Sequence, residues 1–211
     1  MNDNYYFNIK KKRPEEIYKN ASDYFKGETL NRYATSKSMI RIQERLTIRA
    51  LELLNLQKKD ALILDAGSGP GFAAMYLKER GYNTVTLDII TEFLNYYDIK
   101  DLNPITSDMC FPPFRSNTFD AIISISALQW VYRKLSNKIM QDLLTHLAKS
   151  FYIILKPRTK LVFQFYPKSK EVLDSISRIF LDVTKFTGNV IIDNPNSAKK
   201  RKVFLVLEKL D

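Results

Sequence analysis

Apolar positions along this 211-residue chain follow two different periods, and the change between them divides it. From Ser36 to Leu56 the spacing is helical. Met39, Ile42, Leu46, Leu53 and Leu54 share one face, and Arg41, Arg45 and Arg49 recur every four residues on another. After a polar connector, Asn55 to Asp60, short apolar runs alternate with helical stretches. Ala61 to Asp65 reads as a strand, and Phe72 to Arg80 as a helix stopped by Gly81. Thr84 to Asp88 is a second strand and Thr91 to Tyr97 a short helix. Pro104 to Asp108 is a brief strand, poor in branched aliphatics, as sheet edges often are. Ala121 to Ser124, inside the run Phe119 to Ser126, is a buried strand. Lys138 to Ile154 is a long helix, Leu161 to Tyr166 a strand and Glu171 to Thr184 another helix. Gly188 to Ile192 and Val203 to Leu207 are the last strands, joined without a helix. This alternation predicts an α/β fold around a mostly parallel, seven-stranded sheet. Residues 1–60 are expected to form a basic, helical N-terminal cap and 61–211 a single globular unit. Arg13-Pro14 reads as a breaker, and the first dozen residues as loosely ordered.

Composition narrows the class. With 45% hydrophobic residues and both charge signs present, the chain reads as globular. No apolar run approaches the roughly 20 residues that a membrane span needs, and Met1 to Arg13 lacks a signal core. One cysteine, Cys110, leaves no internal disulfide and no cysteine cage for zinc. One histidine, His146, sits inside the long helix, so no metal site is expected. The net charge of +10 is unevenly spread: residues 1–62 carry a net +5, residues 63–147 a net −2 and residues 148–211 a net +7. Basic flanks around a mildly acidic centre fit a polyanion such as RNA, and fit a solvated lysine-rich surface equally well.

Gly67, Gly69 and Gly71 are three of only six glycines and follow directly on the first strand. In a dinucleotide turn, G-x-G-x-x-G, the third glycine would fall at Phe72, which is too large. A G-K-[S/T] triplet for a nucleoside triphosphate is also missing. The spacing is instead G-x-G-x-G after Asp65, the pattern of loops that bind S-adenosylmethionine, which indicates a Rossmann-like class I methyltransferase. Asp65 is then positioned for the cofactor's ammonium group or for the loop itself. Asp88, 23 residues after Asp65, belongs where a ribose-binding carboxylate sits, with Ile89 against the adenine. Asp108 and the Met109 N–H are candidates for the adenine edge, and Ser124 closes the set at the end of the fourth strand.

The acceptor is less directly written. Cys110, in Asp-Met-Cys-Phe, reads as a buried thiol rather than a nucleophile for cytosine C5. The Asn/Asp-Pro-Pro-aromatic clamp of adenine amino methylation is replaced by Ser124-Ile125-Ser126-Ala127. Trp130, the sole tryptophan, either packs a helix start or stacks a flat base while Gln129 reads its edge. Without a recognisable general base, a ring nitrogen such as guanine N7 fits as acceptor, because its lone pair is already available.

Several segments resemble the eukaryotic 18S rRNA guanine-N7 methyltransferase family. They are Arg13-Pro14-Glu15 with Ile17-Tyr18; Tyr33 and Ser36; Ile42-Gln43; Thr47 and Arg49 to Leu54; Ser124 to Trp130; Gln164 to Lys168; and Asp193-Asn194-Pro195 with Lys199 to Lys202. The resemblance implies methylation of one guanine of small-subunit rRNA in a nuclear pre-40S particle. Gln129 and Trp130 would position the base, with Tyr33, Arg49, Tyr166, Pro167 and Lys168 touching the substrate. It also implies a small zinc-binding activator protein as partner, and the strand near 104–108 is the candidate edge for it. Two features depart from the family pattern: Lys156-Pro157-Arg158-Thr159 stands where a glycine pair is usual, and the sequence stops at Asp211, where a basic tail usually follows. Two other readings use the same residues: an assembly factor whose presence matters more than its catalysis, and a small-molecule methyltransferase, which the basic flanks disfavour.

Overall fold

The computed structural model describes residues 12–96, 100–134, 136–197 and 199–211. Its centre is a seven-stranded sheet. Strands β1 (Leu62–Ala66), β2 (Asn83–Asp88), β3 (Pro104–Thr106), β4 (Phe119–Ile125) and β5 (Leu155–Phe165) run parallel. β6 (Phe186–Asp193) and β7 (Lys202–Lys209) form an antiparallel pair added to β5, giving the order β3-β2-β1-β4-β5-β7-β6. The chain steps outward from β1 to β3, then returns to place β4 on the other side of β1. Ligands of open α/β sheets bind at such a switch point, beyond the carboxyl ends of the strands.

Both faces of the sheet are covered, which is why β4 is buried along its whole length. On one face lies α4 (Lys37–Leu54), whose N-terminus is capped by the Ser36 hydroxyl accepting from Met39 N–H. Its Leu46, Ala50 and Leu54 pack with Ile63, Ile123, Val162 and Phe204. The expected division at residue 60 therefore does not follow the packing, because α4 is a layer of the main body. On the other face are α8 (Lys138–Ile154), capped by Asn137, and α9 (Lys170–Val183), capped by Ser169. Phe151 of α8 stacks on Phe163 of β5 at 5.6 Å, and Phe180 of α9 meets the same ring at 5.2 Å.

Other differences from the sequence reading are local. Pro14 opens a helix, α1 (Pro14–Ile17), because the first helical position needs no N–H. Two more short helices, α2 (Ala21–Tyr24) and α3 (Gly27–Ala34), complete the segment before α4. After α5 (Phe72–Glu79), the helix expected to reach Tyr97 is one turn, α6 (Thr91–Leu94), and Tyr97 falls outside the described residues, as do residues 1–11. β5 begins six residues early and carries a bulge, across which its register with β4 shifts. In that bulge Arg158 adopts a left-handed φ of 60°, the conformation a glycine would take. A last short helix, α7 (Leu128–Val131), follows β4.

Candidate active site

The glycine loop is held from below by β2. Gly67 and Ser68 donate their N–H groups to Leu87 C=O at 2.8 and 3.1 Å, and Gly69 N–H donates to Asp88 Oδ2 at 2.7 Å. Ile90 N–H donates to Asp88 Oδ1 at 2.9 Å, so this carboxylate fixes the loop and its own turn together. Gly67 has φ 71°, and a Cβ there would stand 2.4 Å from Ala127 Cβ. Only glycine lets the loop after β1 approach the loop after β4 so closely.

Over this loop lies a cavity of about 220 Å³. Its floor is Asp65, Gly67, Gly69 and Asp88; Ile89, Asp108 and Met109 line it beyond β2 and β3. The wall formed by the N-terminal helices and α7 is aromatic. Phe25 packs at 5.1 Å from both Tyr33 and Phe93 and at 5.8 Å from Trp130, while Tyr24 stacks on Trp130 at 6.1 Å. The N-terminal segment is tied down by Arg133, which donates to Lys19 C=O at 2.9 Å, and by Arg13, which donates to Tyr166 C=O at 2.6 Å.

Two carboxyl groups in the floor are strained electrostatically. Burial pushes Asp65 up to about 7 and Asp88 up to about 6. Backbone N–H groups of Ile90 and Gly69 partly offset this at Asp88, and that of Ala74 at Asp65. Asp65 Oδ2 is buried and has no hydrogen-bond partner among the described residues. A buried acceptor oxygen beside a glycine loop is a place for a cationic donor, and the ammonium group of S-adenosylmethionine fits it. Asp88, at the cavity floor, keeps lone pairs beyond its backbone bonds for ribose hydroxyls. Asp108 Oδ1 accepts from Cys110 N–H at 2.8 Å, and the carboxylate lines the cavity. Cys110 is buried, and burial with nearby Asp108 pushes its thiol far up, so it stays protonated.

Not every residue singled out from the sequence reaches the cavity. Gly71 sits behind it, turning the chain into α5 at φ 85°. Ser124 is sealed within β4, which runs one residue further than expected, so Ile125 and Ser126 line the cavity instead. Gln129 is buried beneath the loop, donating to Ser126 C=O at 2.8 Å, and only Trp130 of that pair faces the cavity. Arg49 is committed elsewhere: it pairs with Asp193 at 3.0 Å and Glu52 at 2.8 Å, clamping α4 to the end of β6. Tyr166, Pro167 and Lys168 lie beside α1, with Lys168 at 3.4 Å from Glu16 and the Tyr166 ring beneath Arg13 and Lys202. His146 is exposed on α8 against Phe111. Among the described residues no group of three metal-ligating side chains comes together.

Gln43, named from the sequence only as part of the family resemblance, and Phe25 and Phe93, not named there, also line the cavity. The signal available was the density of aromatic residues between Tyr18 and Tyr33, whose partners lie some sixty to a hundred positions later.

A methyltransferase-domain family model matches residues 64–163. The 18S rRNA (guanine-N(7))-methyltransferase of Bos taurus is 36% identical over 203 residues, covering 92% of this chain and 68% of that protein. The 18S rRNA (guanine(1575)-N(7))-methyltransferase of Saccharomyces cerevisiae is 36% identical over 189 residues, 87% of this chain and 66% of that one. The chain thus spans about two thirds of the length of these relatives. A crystal structure of a putative S-adenosyl-L-methionine-dependent methyltransferase from Methanococcus maripaludis superposes with a TM-score of 0.64 at 13% identity, covering 97% of this chain and 98% of that one. At that identity the likeness concerns the fold.

Proposed function

Because the chain belongs to the family of 18S rRNA (guanine-N7)-methyltransferases, we propose that it methylates N7 of a guanine in small-subunit rRNA. The observation that carries the reading is one cavity in which Asp65, Asp88 and the glycine loop meet an aromatic wall containing Trp130. Bound there, S-adenosylmethionine supplies an electrophilic methyl group on a sulfonium. The chain's own task is alignment. Asp65 Oδ2 takes the ammonium group, Asp88 the ribose hydroxyls, and Asp108 with the Met109 backbone the adenine edge.

Guanine N7 holds a free lone pair at neutral pH, so no side chain has to remove a proton. That suits a site whose thiol stays protonated and whose carboxyl groups are occupied in binding. Methylation leaves the purine ring cationic, and aromatic faces such as those of Trp130 and Phe25 favour a cation over water-free apolar walls. In cells lacking the protein, one guanine of 18S rRNA should lose its N7-methyl group. Borohydride and aniline treatment would read this as the disappearance of one cleavage site. An undiminished cleavage would end the assignment.

We also propose the small zinc-binding activator as a partner that adds a strand to β3, with action in the nucleus during small-subunit biogenesis. Support comes from β3 being an edge strand of three residues, with Phe111 exposed (52%) in the loop that follows. Co-expression with such a partner should raise the yield and melting temperature of this chain. Equal values with and without it would count against the pairing.

A further inference from the structure

Recognition of the base is the part of this reaction that Gln129 cannot perform, being sealed beneath the loop after β4. Another glutamine stands in the cavity wall. Gln43 of α4 lines it together with Tyr33 and Ser126, and its Nε2 lies 3.4 Å from both Tyr33 Oη and Ser126 Oγ.

The direction of these bonds is set by a chain of obligations that begins in the sheet. Gln164 Nε2 donates to Phe165 C=O at 3.3 Å, which makes Gln164 Oε1 the acceptor end. Ser126 Oγ–H donates to that oxygen at 2.9 Å and so has no proton left to give. It can only accept from Gln43, whose amide must therefore present Nε2 to it. Ser126 itself is locked at φ 61°, with its N–H on Gln164 C=O at 2.8 Å. Gln43 Oε1 is the end left over. It accepts no hydrogen bond among the described residues, and it is not one of the oxygens sealed away unpartnered. Tyr33 Oη, accepting from Gln43, keeps its own proton for another partner. Burial and the nearby Asp88 hold that hydroxyl protonated at any physiological pH.

An acceptor and a donor thus stand side by side in the cavity wall. We propose that Gln43 and Tyr33 read the acceptor base: Gln43 Oε1 accepts from guanine N1–H or its exocyclic amino group, and Tyr33 O–H donates to guanine O6. This rests on the reading of a guanine acceptor given above. Adenine offers the opposite polarity, a bare N1 and an amino group at position 6. It would set lone pair against lone pair at Gln43 and leave Tyr33 facing a donor. Gln43 is on this account a specificity residue, distinct from the groups that hold the cofactor.

Trp130, the only tryptophan, lines the same cavity and serves as the reporter. The probes are two pyrimidine oligoribonucleotides carrying one central guanosine or one adenosine, titrated onto protein saturated with S-adenosylhomocysteine. Wild-type protein should prefer guanosine by about tenfold. Gln43→Met and Tyr33→Phe should each bring the preference to about threefold or less. S-adenosylhomocysteine affinity should stay within about twofold in Gln43→Met. A Gln43→Met protein with the full guanosine preference would overturn the proposal. So would cofactor affinity falling in step with base preference, which would assign Gln43 to the cofactor. Wild-type protein that lacks the preference yet still methylates rRNA would sink this inference alone. Cleavage left undiminished in cells lacking the protein would remove the guanine reading with it.

Discussion

At the scale of single residues, Asp65 sets the cost of burying a carboxyl group against its proposed role in holding the cofactor. Its carboxyl group is held up at about 7 by burial, against an ordinary value of 3.8, and one oxygen has no partner among the described residues. An acid whose folded value is raised contributes stability below its unfolded value and loses it as pH rises through the folded one. The cofactor-free protein should therefore lose melting temperature between about pH 4 and pH 7, with Asp88, raised to about 6, adding to the decline. Asp65→Asn should flatten that decline, measurable by thermal melts across the pH series. Cofactor binding should have the opposite sense, because an ammonium group favours the ionised carboxylate. Affinity should tighten as pH rises through 7, and Asp65→Asn should weaken it about tenfold or more and remove most of the pH dependence. Isothermal titration from pH 5.5 to 8 reads both effects. A variant that binds as tightly as wild type would take Asp65 out of the cofactor site. The loop itself was legible in the sequence because the glycine spacing and the acid ending β2 are local features: Gly67 allows its close approach to Ala127, and Asp88 accepts from Gly69 N–H. Arg49 was misjudged because the partner that claims it, Asp193, lies 144 positions away.

At the scale of elements, the strands and long helices follow the apolar periodicity closely, since burial on one or two faces leaves a periodic trace. Misreadings collect where the backbone departs from ideal geometry. The start of β5 is one such place, where a strand bulges at Arg158 instead of ending the connection with glycine. Left-handed φ at a residue with a Cβ carries a penalty of about 1 kcal/mol, and the Arg158 side chain is exposed. Glycine there would relieve the strain while making the unfolded chain somewhat freer. Arg158→Gly should stabilise the protein by roughly 0.5 kcal/mol, raising the melting temperature by about 1–2 °C. A drop of several degrees would mean that the arginine side chain holds the bulge.

At the scale of the whole molecule, charge and cavity are the two properties to consider. Of the 33 basic residues, set against 23 acidic ones, some are engaged in ion pairs near the surface: Lys58 and Lys156 with Asp120, and Arg49 with Asp193. Lys199 and Lys200 remain exposed on the turn between β6 and β7. If that turn contacts phosphates, RNA affinity should fall linearly with the logarithm of salt concentration. Replacing both lysines by alanine should lower the magnitude of the slope by roughly 1.4, from about 0.7 per contact on a single strand. Filter binding across a salt series measures this. An unchanged slope would place the RNA path elsewhere.

What the sequence determined by itself was whatever depends on neighbours along the chain: the strand-loop-helix of Leu62 to Glu79, the acid ending β2, and the order of elements around them. Those are set by side-chain periodicity and by turns that few residues tolerate. Which polar groups share a cavity was decided only by the tertiary structure. Gln43 of α4, Ser126 after β4 and Gln164 of β5 are brought together by strands that are adjacent in space but far apart in sequence. The direction of their hydrogen bonds, and hence the polarity offered to a base, exists only once all three are packed together, because each proton is assigned by the next partner in line.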